Sequence, residues 1–136
     1  MKIGRQEVAS LIVFVFLTSS LFATSCVWGK KFKIRQVCGQ VRDAYGAEIP
    51  DATVQLTRNG QAEIVAEDRT AADGRFALRG LASGDYEIRI KYAGFGDASQ
   101  DFQLIRPAKG TRCSHPIRVV MKPAGSCSYV ENAWKK

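Results

Sequence analysis

Residues 70–92 read TAADGRFALRGLASGDYEIRIKY, and this stretch decides the fold class of the chain. Asp73-Gly74 and Gly84-Asp85 are turn signals, and each one opens a run in which apolar and charged residues alternate. The apolar positions of the two runs are Phe76, Leu78, Tyr86, Ile88, Ile90 and Tyr92. Because successive side chains of a strand point to opposite faces of a sheet, the stretch predicts two strands with one buried face.

The same alternation continues upstream of this stretch. It predicts a first strand through Val37 and Val41 that ends at the turn after Asp43, and a second strand over residues 52–58. Asn59-Gly60 follows and predicts a type I′ hairpin turn, since both residue types tolerate the positive φ that this turn requires. A third strand then runs back from residue 61, with Ile64 and Val65 as its apolar residues. Gly39, inside the first strand, marks a bulge or a close backbone approach.

Downstream, Phe102 and Leu104 predict a sixth strand, and the alternation over residues 117–121 predicts a seventh. Residues 123–136 are expected to form an irregular tail held by Cys127 and Trp134. No segment after the leader shows a sustained helical period. Seven short strands separated by regular turns predict an all-β, seven-stranded antiparallel β-sandwich.

The amino-terminal segment predicts export. Lys2 and Arg5 precede a short apolar run over residues 8–17, and small residues follow, which is the layout of a signal peptide rather than of a membrane span. Ala23-Thr24-Ser25-Cys26 suits an ordinary signal peptidase and also resembles a bacterial lipobox, in which the cysteine becomes a lipid tether. Soluble secretion and membrane attachment through Cys26 both stay open, and the predicted location is extracytoplasmic, either periplasmic or secreted.

These patterns divide the chain into four parts. We assign residues 1–25 to the signal peptide, 26–36 to a basic linker, 37–122 to the β-sandwich and 123–136 to the tail. The formal net charge of the 136-residue chain is +7. The basic residues fall mainly at alternate strand positions and at the two ends, without the interleaved aromatic residues that stack on bases, so nucleic acid is not an expected partner.

The four cysteines, Cys26, Cys38, Cys113 and Cys127, form an even set, which in an exported chain predicts two disulfide bonds. Lipidation of Cys26 would instead leave one of the other three without a partner. The favoured pair is Cys113 with Cys127, and Cys38 with Cys113 is the alternative if the first and last strands are neighbours. The sequence contains no C-x-x-C pair, so a zinc site is not expected.

Several short motifs resemble the carboxypeptidase regulatory-like domain when they are taken together and in order. They are Gly39-x-Val41-x-Asp43-x-x-Gly46, Ile49-Pro50-Asp51-Ala52-x-Val54, Thr70-x-x-Asp73-Gly74-x-Phe76, Leu81-x-x-Gly84-x-Tyr86 and Gly94-Phe95. The resemblance covers about residues 37–121. It implies a transthyretin-like Greek-key sandwich that serves as a non-catalytic accessory module. Its glycines, aspartates and aromatics are explained by turns and core packing.

Enzymes that share this sandwich use residues that the sequence lacks. Intradiol dioxygenases need two Tyr and two His iron ligands, and hydroxyisourate hydrolases use several His with a Tyr-Arg-Gly-Ser ending; this sequence has one histidine, His115, and no such segment. Ser114 beside His115 does not make a catalytic triad. The acidic residues Asp43, Asp51, Asp97 and Asp101 lack the dense spacing of a calcium loop, so no cofactor or metal is expected.

Two binding roles follow as hypotheses. The first is a scaffold that binds another protein of the bacterial cell envelope through loops or an open sheet edge. The alternative is a module that binds a cell-surface glycan or small ligand through aromatic residues in or beside loops. The aromatic candidates are Tyr45, Phe95, Tyr129 and Trp134, with Tyr92 nearby.

Overall fold

The computed structural model describes residues 30–132, without the side chain of Asn132. Nine strands and no helix lie within this range. The strands are β1 (Phe32–Ile34), β2 (Val37–Asp43), β3 (Thr53–Arg58), β4 (Ile64–Arg69), β5 (Arg75–Leu78), β6 (Gly84–Lys91), β7 (Ala98–Leu104), β8 (Ile117–Met121) and β9 (Tyr129–Asn132). The predicted signal peptide, Cys26 and Trp134 lie outside the described residues.

The strands form two sheets that pack face to face. One sheet has the order β1-β7-β6-β3-β4 and the other has the order β5-β2-β8-β9. The predicted β-sandwich is confirmed, and the seven predicted strands correspond to β2 through β8. The strand number is nine rather than seven, because β1 forms within the predicted linker and β9 within the predicted irregular tail. The sheets are also mixed, since β1 pairs with β7 and β2 pairs with β8 in parallel.

The core lies between the two inner faces and follows the predicted alternation. On β6, Tyr86, Ile88 and Ile90 are all buried, whereas Tyr92 lies just beyond the strand and is exposed. The Tyr86 ring stacks on Phe102 with centroids 5.7 Å apart, and its hydroxyl donates to the Ala82 carbonyl at 2.7 Å. A buried tyrosine therefore keeps its polar atom satisfied while it contributes a large apolar area.

Gly39 confirms the predicted close backbone approach. It lies on β2 opposite Ile117 of the parallel neighbour β8, and a Cβ at this position would collide with the Ile117 carbonyl oxygen. The contact is between two backbones, so no side-chain rotation can relieve it. The sequence signal at Gly39 thus reports the parallel β2/β8 pairing at the centre of the smaller sheet.

The predicted type I′ turn at Asn59-Gly60 is wrong. Gly60 has φ +80°, but Asn59 does not have a positive φ, and the Gln61 amide donates to the Arg58 carbonyl at 2.9 Å. These features fit a type II turn, which requires a positive φ only at its third residue. The connection between β3 and β4 extends over residues 59–63, and the register of the β3/β4 pairing shifts between Leu56 and Thr57. The longer connection and the bulge together replace the tight hairpin.

The four connections at each end of the sandwich define two regions with different chemistry. Residues 44–52, 70–74, 92–97 and 122–128 lie at the end where β2 finishes, which we call the aromatic end. Residues 35–36, 59–63, 79–83 and 105–116 lie at the opposite end, which we call the basic end. The functional candidates are distributed between these two ends and the sheet edges.

Candidate interaction surfaces

One disulfide bond joins Cys38 to Cys113, with their Cα atoms 6.0 Å apart. The favoured Cys113–Cys127 pair is therefore wrong. Cys113 precedes β8 and Cys127 follows it, so the two lie at opposite ends of a five-residue strand, whereas a disulfide needs Cα atoms within about 7 Å. The alternative pair forms because β2 and β8 are neighbours, as that alternative required. Cys127 is disulfide-bonded as well.

The loop aromatics are gathered at the aromatic end but do not form one platform. Tyr92 and Phe95 contact each other with ring centroids 5.7 Å apart, and Phe95 also packs against the core. The Tyr129 ring lies under the ammonium of Lys122 at 5.4 Å. Tyr45 is 96% exposed on a separate turn, where the Asp43 carboxylate accepts the amides of Tyr45 and Ala47. Most of these residues therefore have packing or turn roles in the fold.

Two of the four acidic residues considered for calcium are engaged in other contacts. Asp43 accepts the two turn amides, and Asp51 pairs with Arg69 at 3.0 Å. Within residues 30–132, no group of three or more His, Cys, Asp or Glu side chains is placed to hold a metal ion. Ser114 and His115 lie in the connection before β8, and the Ser114 amide donates to the Gln36 side chain at 3.0 Å.

The most prominent candidate surface is the outer edge of β4. Among the four strands that end the two sheets in the described range, β4 is the longest, with six residues. Thr70 donates its amide to the Ala52 carbonyl at 3.0 Å, so the alternation of an antiparallel ladder turns the backbone groups of Asp68 toward β3. The backbone groups of Arg69 and Glu67 are therefore directed away from the sheet.

Asp68 closes one part of this edge. Its carboxylate accepts the Arg69 amide at 2.8 Å and the Ala77 amide of β5 at 3.0 Å. The carboxylate therefore satisfies donors from the edge strands of both sheets and fills the gap between them. The segment from Ile64 to Glu67 has no comparable cap among the described residues. The open part of the edge is thus short and well defined.

Two apolar side chains lie exposed beside the open segment. Ile64 is 46% exposed and Val65 is 40% exposed. The sequence predicts both residues within an ordinary strand, because it does not show that β4 ends the sheet. An exposed edge with adjacent apolar side chains is a template for pairing with an extended chain, which supplies backbone hydrogen bonds and a few side-chain contacts.

The chain is similar to known proteins both in sequence and in fold. A profile of the carboxypeptidase regulatory-like domain matches residues 36–112. The 5-hydroxyisourate hydrolase of Klebsiella pneumoniae has a similar fold, with a TM-score of 0.53 and 20% sequence identity over 74% of this chain and 99% of that one. No curated protein sequence matches the chain. The structural similarity at this level of identity concerns the transthyretin-like fold alone.

Proposed function

This chain belongs to the carboxypeptidase regulatory-like domain family, and on that premise we propose that it is an exported, non-catalytic accessory module. Its partner is another protein of the bacterial cell envelope, bound along the open edge of β4. The observation that carries the proposal is the combination of outward backbone groups at Glu67 with exposed Ile64 and Val65. A partner with an extended apolar segment would continue the five-stranded sheet.

The β4 edge can be tested by photo-crosslinking in the cell that makes the protein. A benzophenone amino acid at position 64 should give a discrete protein adduct. The same label at Ile105, which is 37% exposed but lies outside the strands, is the matched control and should not give that adduct. Identical adducts from both positions, or no adduct from position 64, would contradict the proposed edge.

A pair of variants at Glu67 distinguishes backbone hydrogen bonding to a partner strand from non-specific apolar contact. Because the Glu67 amide is directed away from β3, Glu67→Pro removes an outward donor and leaves the internal ladder intact. Glu67→Ala removes the same carboxylate and keeps the donor. We expect the crosslinked adduct to disappear in Glu67→Pro and to persist in Glu67→Ala. Loss of the adduct in both variants would indicate a side-chain contact rather than strand addition.

The non-catalytic assignment rests on the residue inventory. The sequence contains a single histidine, His115, and no Tyr-Arg-Gly-Ser segment. We expect the purified protein to leave the spontaneous decay of 5-hydroxyisourate unchanged, as measured by absorbance. A saturable acceleration that depends on His115 would overturn this part of the proposal and make the chain an enzyme.

Export is supported by the disulfide bond, since disulfides persist mainly in oxidising compartments. No helix among the described residues is long and apolar enough to span a membrane. Cys38 and Cys113 bond each other and Cys127 is also oxidised, so Cys26 is the cysteine of this sequence that remains to pair with Cys127. We therefore propose the disulfide, rather than acylation, for Cys26.

Intact mass of the exported protein decides between the two fates of Cys26. Two disulfides with no lipid correspond to the loss of four hydrogens from the mass of the mature chain. Added acyl mass on Cys26 would instead establish a membrane tether and leave Cys127 to pair between molecules. Peptide mapping without reduction should recover Cys127 joined to Cys26.

A further inference from the structure

A pocket of about 680 Å³ lies at the basic end, on the opposite side of the molecule from the loop aromatics. It is bounded by the β1–β2 connection, the β5–β6 connection and residues 105–113. This volume lies in the range of ordinary small-ligand sites, about 300–1,000 Å³. Neither the resemblance of the motifs nor the β4 edge accounts for it.

The floor of the pocket is apolar. Val37, Leu78 and Leu104 are buried ends of three core strands, and Leu81 is half-buried beside them. The Cys38–Cys113 disulfide forms part of the same wall. No aromatic side chain of residues 30–132 lines the pocket. The floor can therefore accept an aliphatic or otherwise apolar body, but it offers no ring on which a sugar or base would stack.

The rim of the pocket carries positive charge without compensation. Its charged lining residues are Arg35, Arg79, Lys109 and Arg112, and no Asp or Glu in the described part of the chain lines it. None of these four forms an ion pair within the described residues, whereas several arginines elsewhere do. The 29 residues from Phe102 to Val130 contain no acidic residue at all. Gathering unneutralised like charges destabilises a fold, and a bound anion would relieve that repulsion.

The rim is held in place by hydrogen bonds that leave donors free. Arg79 uses one Nη2 donor on the Thr111 carbonyl at 3.0 Å, and Arg35 uses Nε on the Arg106 carbonyl at 3.1 Å. A guanidinium has five N–H donors, so most of them stay available to a ligand. Gln36 bridges the same loop by donating to the Arg112 carbonyl at 2.8 Å and accepting the Ser114 amide.

We propose that this pocket binds a small amphiphilic anion, whose apolar body lies on the Val37, Leu78 and Leu104 floor and whose carboxylate or phosphate meets the rim cations. Guanidinium groups bind both head groups through charge-assisted hydrogen bonds. The concave shape, and the absence of aromatics among the described residues that line the pocket, favour a small molecule over nucleic acid. No β4 residue is among the lining residues of this site, so anion binding and the proposed partner binding can be tested independently.

The first test is calorimetric titration of the full exported protein at low ionic strength with four probes. Sodium octanoate and octyl phosphate supply the two head groups, octylammonium chloride supplies the same chain with the opposite charge, and inorganic phosphate supplies a head group without a chain. We expect saturable 1:1 binding of at least one octyl anion, no binding of octylammonium, and phosphate binding weaker by about tenfold or more.

The relative strength of the two octyl anions identifies the head group. Failure of both to saturate at up to about 10 mM would overturn the proposal. Equal binding of octylammonium would overturn the role of the cations, and phosphate binding as tight as that of octyl phosphate would overturn the role of the apolar floor.

The second test locates the site. Lys109 and Arg112 are exposed, and their side chains make no hydrogen bond to the described residues, so Lys109→Gln with Arg112→Gln should fold normally. This double variant should weaken binding of the octyl anion about tenfold or more. Lys91→Gln with Arg118→Gln removes the same two charges from residues outside the pocket and should change the affinity less than about threefold.

Amide chemical shifts give a readout that does not depend on variants. Addition of the octyl anion to the native protein should shift signals of residues 79–83 and 105–113 and leave those of residues 44–48 unchanged. Equal weakening in both double variants, or shifts confined to the aromatic end, would show that the anion binds elsewhere and would overturn the assignment.

Discussion

The two ends of the sandwich are closed by different means. At the aromatic end, two buried hydroxyls join the loops: Thr70 accepts the Ala52 amide and donates to the Ile49 carbonyl, and Ser128 accepts the Lys122 amide and donates to the Gly96 carbonyl. At the basic end, a disulfide, the exposed side chains of Arg35 and Arg79 and the half-buried side chain of Gln36 hold the long β7–β8 connection. The first end is closed by buried hydrogen bonds between its loops, whereas the second end contains the pocket.

Charge follows the same division. The loops of the aromatic end carry the acidic residues Glu48, Asp51, Asp73 and Asp97, and several of these pair with arginines on neighbouring strands. The connections around the pocket carry arginines and a lysine without such pairs in the described range. Neutralised charge accompanies the closed end and unneutralised charge accompanies the open one, which is why we place a ligand at the basic end.

The largest expected effect is at the basic end. Cys38→Ser with Cys113→Ser removes a cross-link between residues 75 positions apart, and the chain-entropy model assigns such a loop about 4 kcal/mol. Urea denaturation should show this loss, and affinity for an octyl anion should fall as the pocket wall loosens. Unchanged stability would show that the exposed side-chain bonds alone close this end.

Substitution of one glycine at each end, both with a positive φ, allows a direct comparison of how tightly the two ends are packed. Gly74, at the aromatic end, has φ +76°, and a Cβ there would lie 2.5 Å from the Val41 carbonyl; Gly80, at the basic end, has φ +70° and open space. We expect Gly74→Ala to cost about 3 kcal/mol and Gly80→Ala about 1 kcal/mol, by thermal unfolding. Similar losses would mean that the closed end is no more tightly packed than the open one.

The buried hydroxyls should have intermediate effects. Thr70→Val and Ser128→Ala each leave a buried amide and carbonyl without a partner, which costs about 2 kcal/mol. Ser126→Ala replaces an exposed serine in the same loop as Ser128 and is the control, with no expected change. The comparison between the ends fails if the two buried variants unfold at the same urea concentration as this control.

The smallest effects concern exposed charges. Arg42→Gln removes an exposed ion pair with Glu48 and should cost less than about 0.5 kcal/mol. Lys109→Gln removes a cation from an unneutralised group and should leave stability equal or slightly higher, most clearly at low salt. Opposite results would mean that the basic end is stabilised by its cations without any ligand.

The core strands could be predicted from the sequence because alternation is a local property. Phe76, Leu78, Tyr86, Ile88 and Ile90 are all buried as their spacing predicts. The two additional strands were missed because β1 has only three residues, and because β9 lacks the alternation of apolar and charged residues that marks the equally short β5. The Asn59-Gly60 turn was wrong because its type depends on the β3/β4 bulge, which that dipeptide does not encode.

The candidate sites were less accessible from the sequence than the fold. The aromatic residues were chosen by type, and the structure shows Phe95 packed against the core and Tyr129 beside Lys122. The sequence predicted Ile64 and Val65 as apolar strand residues but not their exposure, because exposure depends on β4 being an edge strand. The stretch from Phe102 to Val130, which contains no acidic residue, was the one sign of the basic pocket in the sequence. The sequence does not show that the β1–β2 and β5–β6 connections lie beside this stretch and complete the pocket.

The sequence by itself determined the β-sandwich, its buried faces and the family to which the chain belongs, because these depend on local alternation and on turn residues at fixed spacing. Tertiary structure decided which cysteines meet, which strand is left at an edge and which cations share a pocket. Each of these depends on contacts between residues far apart in the chain, such as Cys38 with Cys113 and Arg79 with Thr111. Only the parallel pairing of β2 with β8 brings the first of these contacts about.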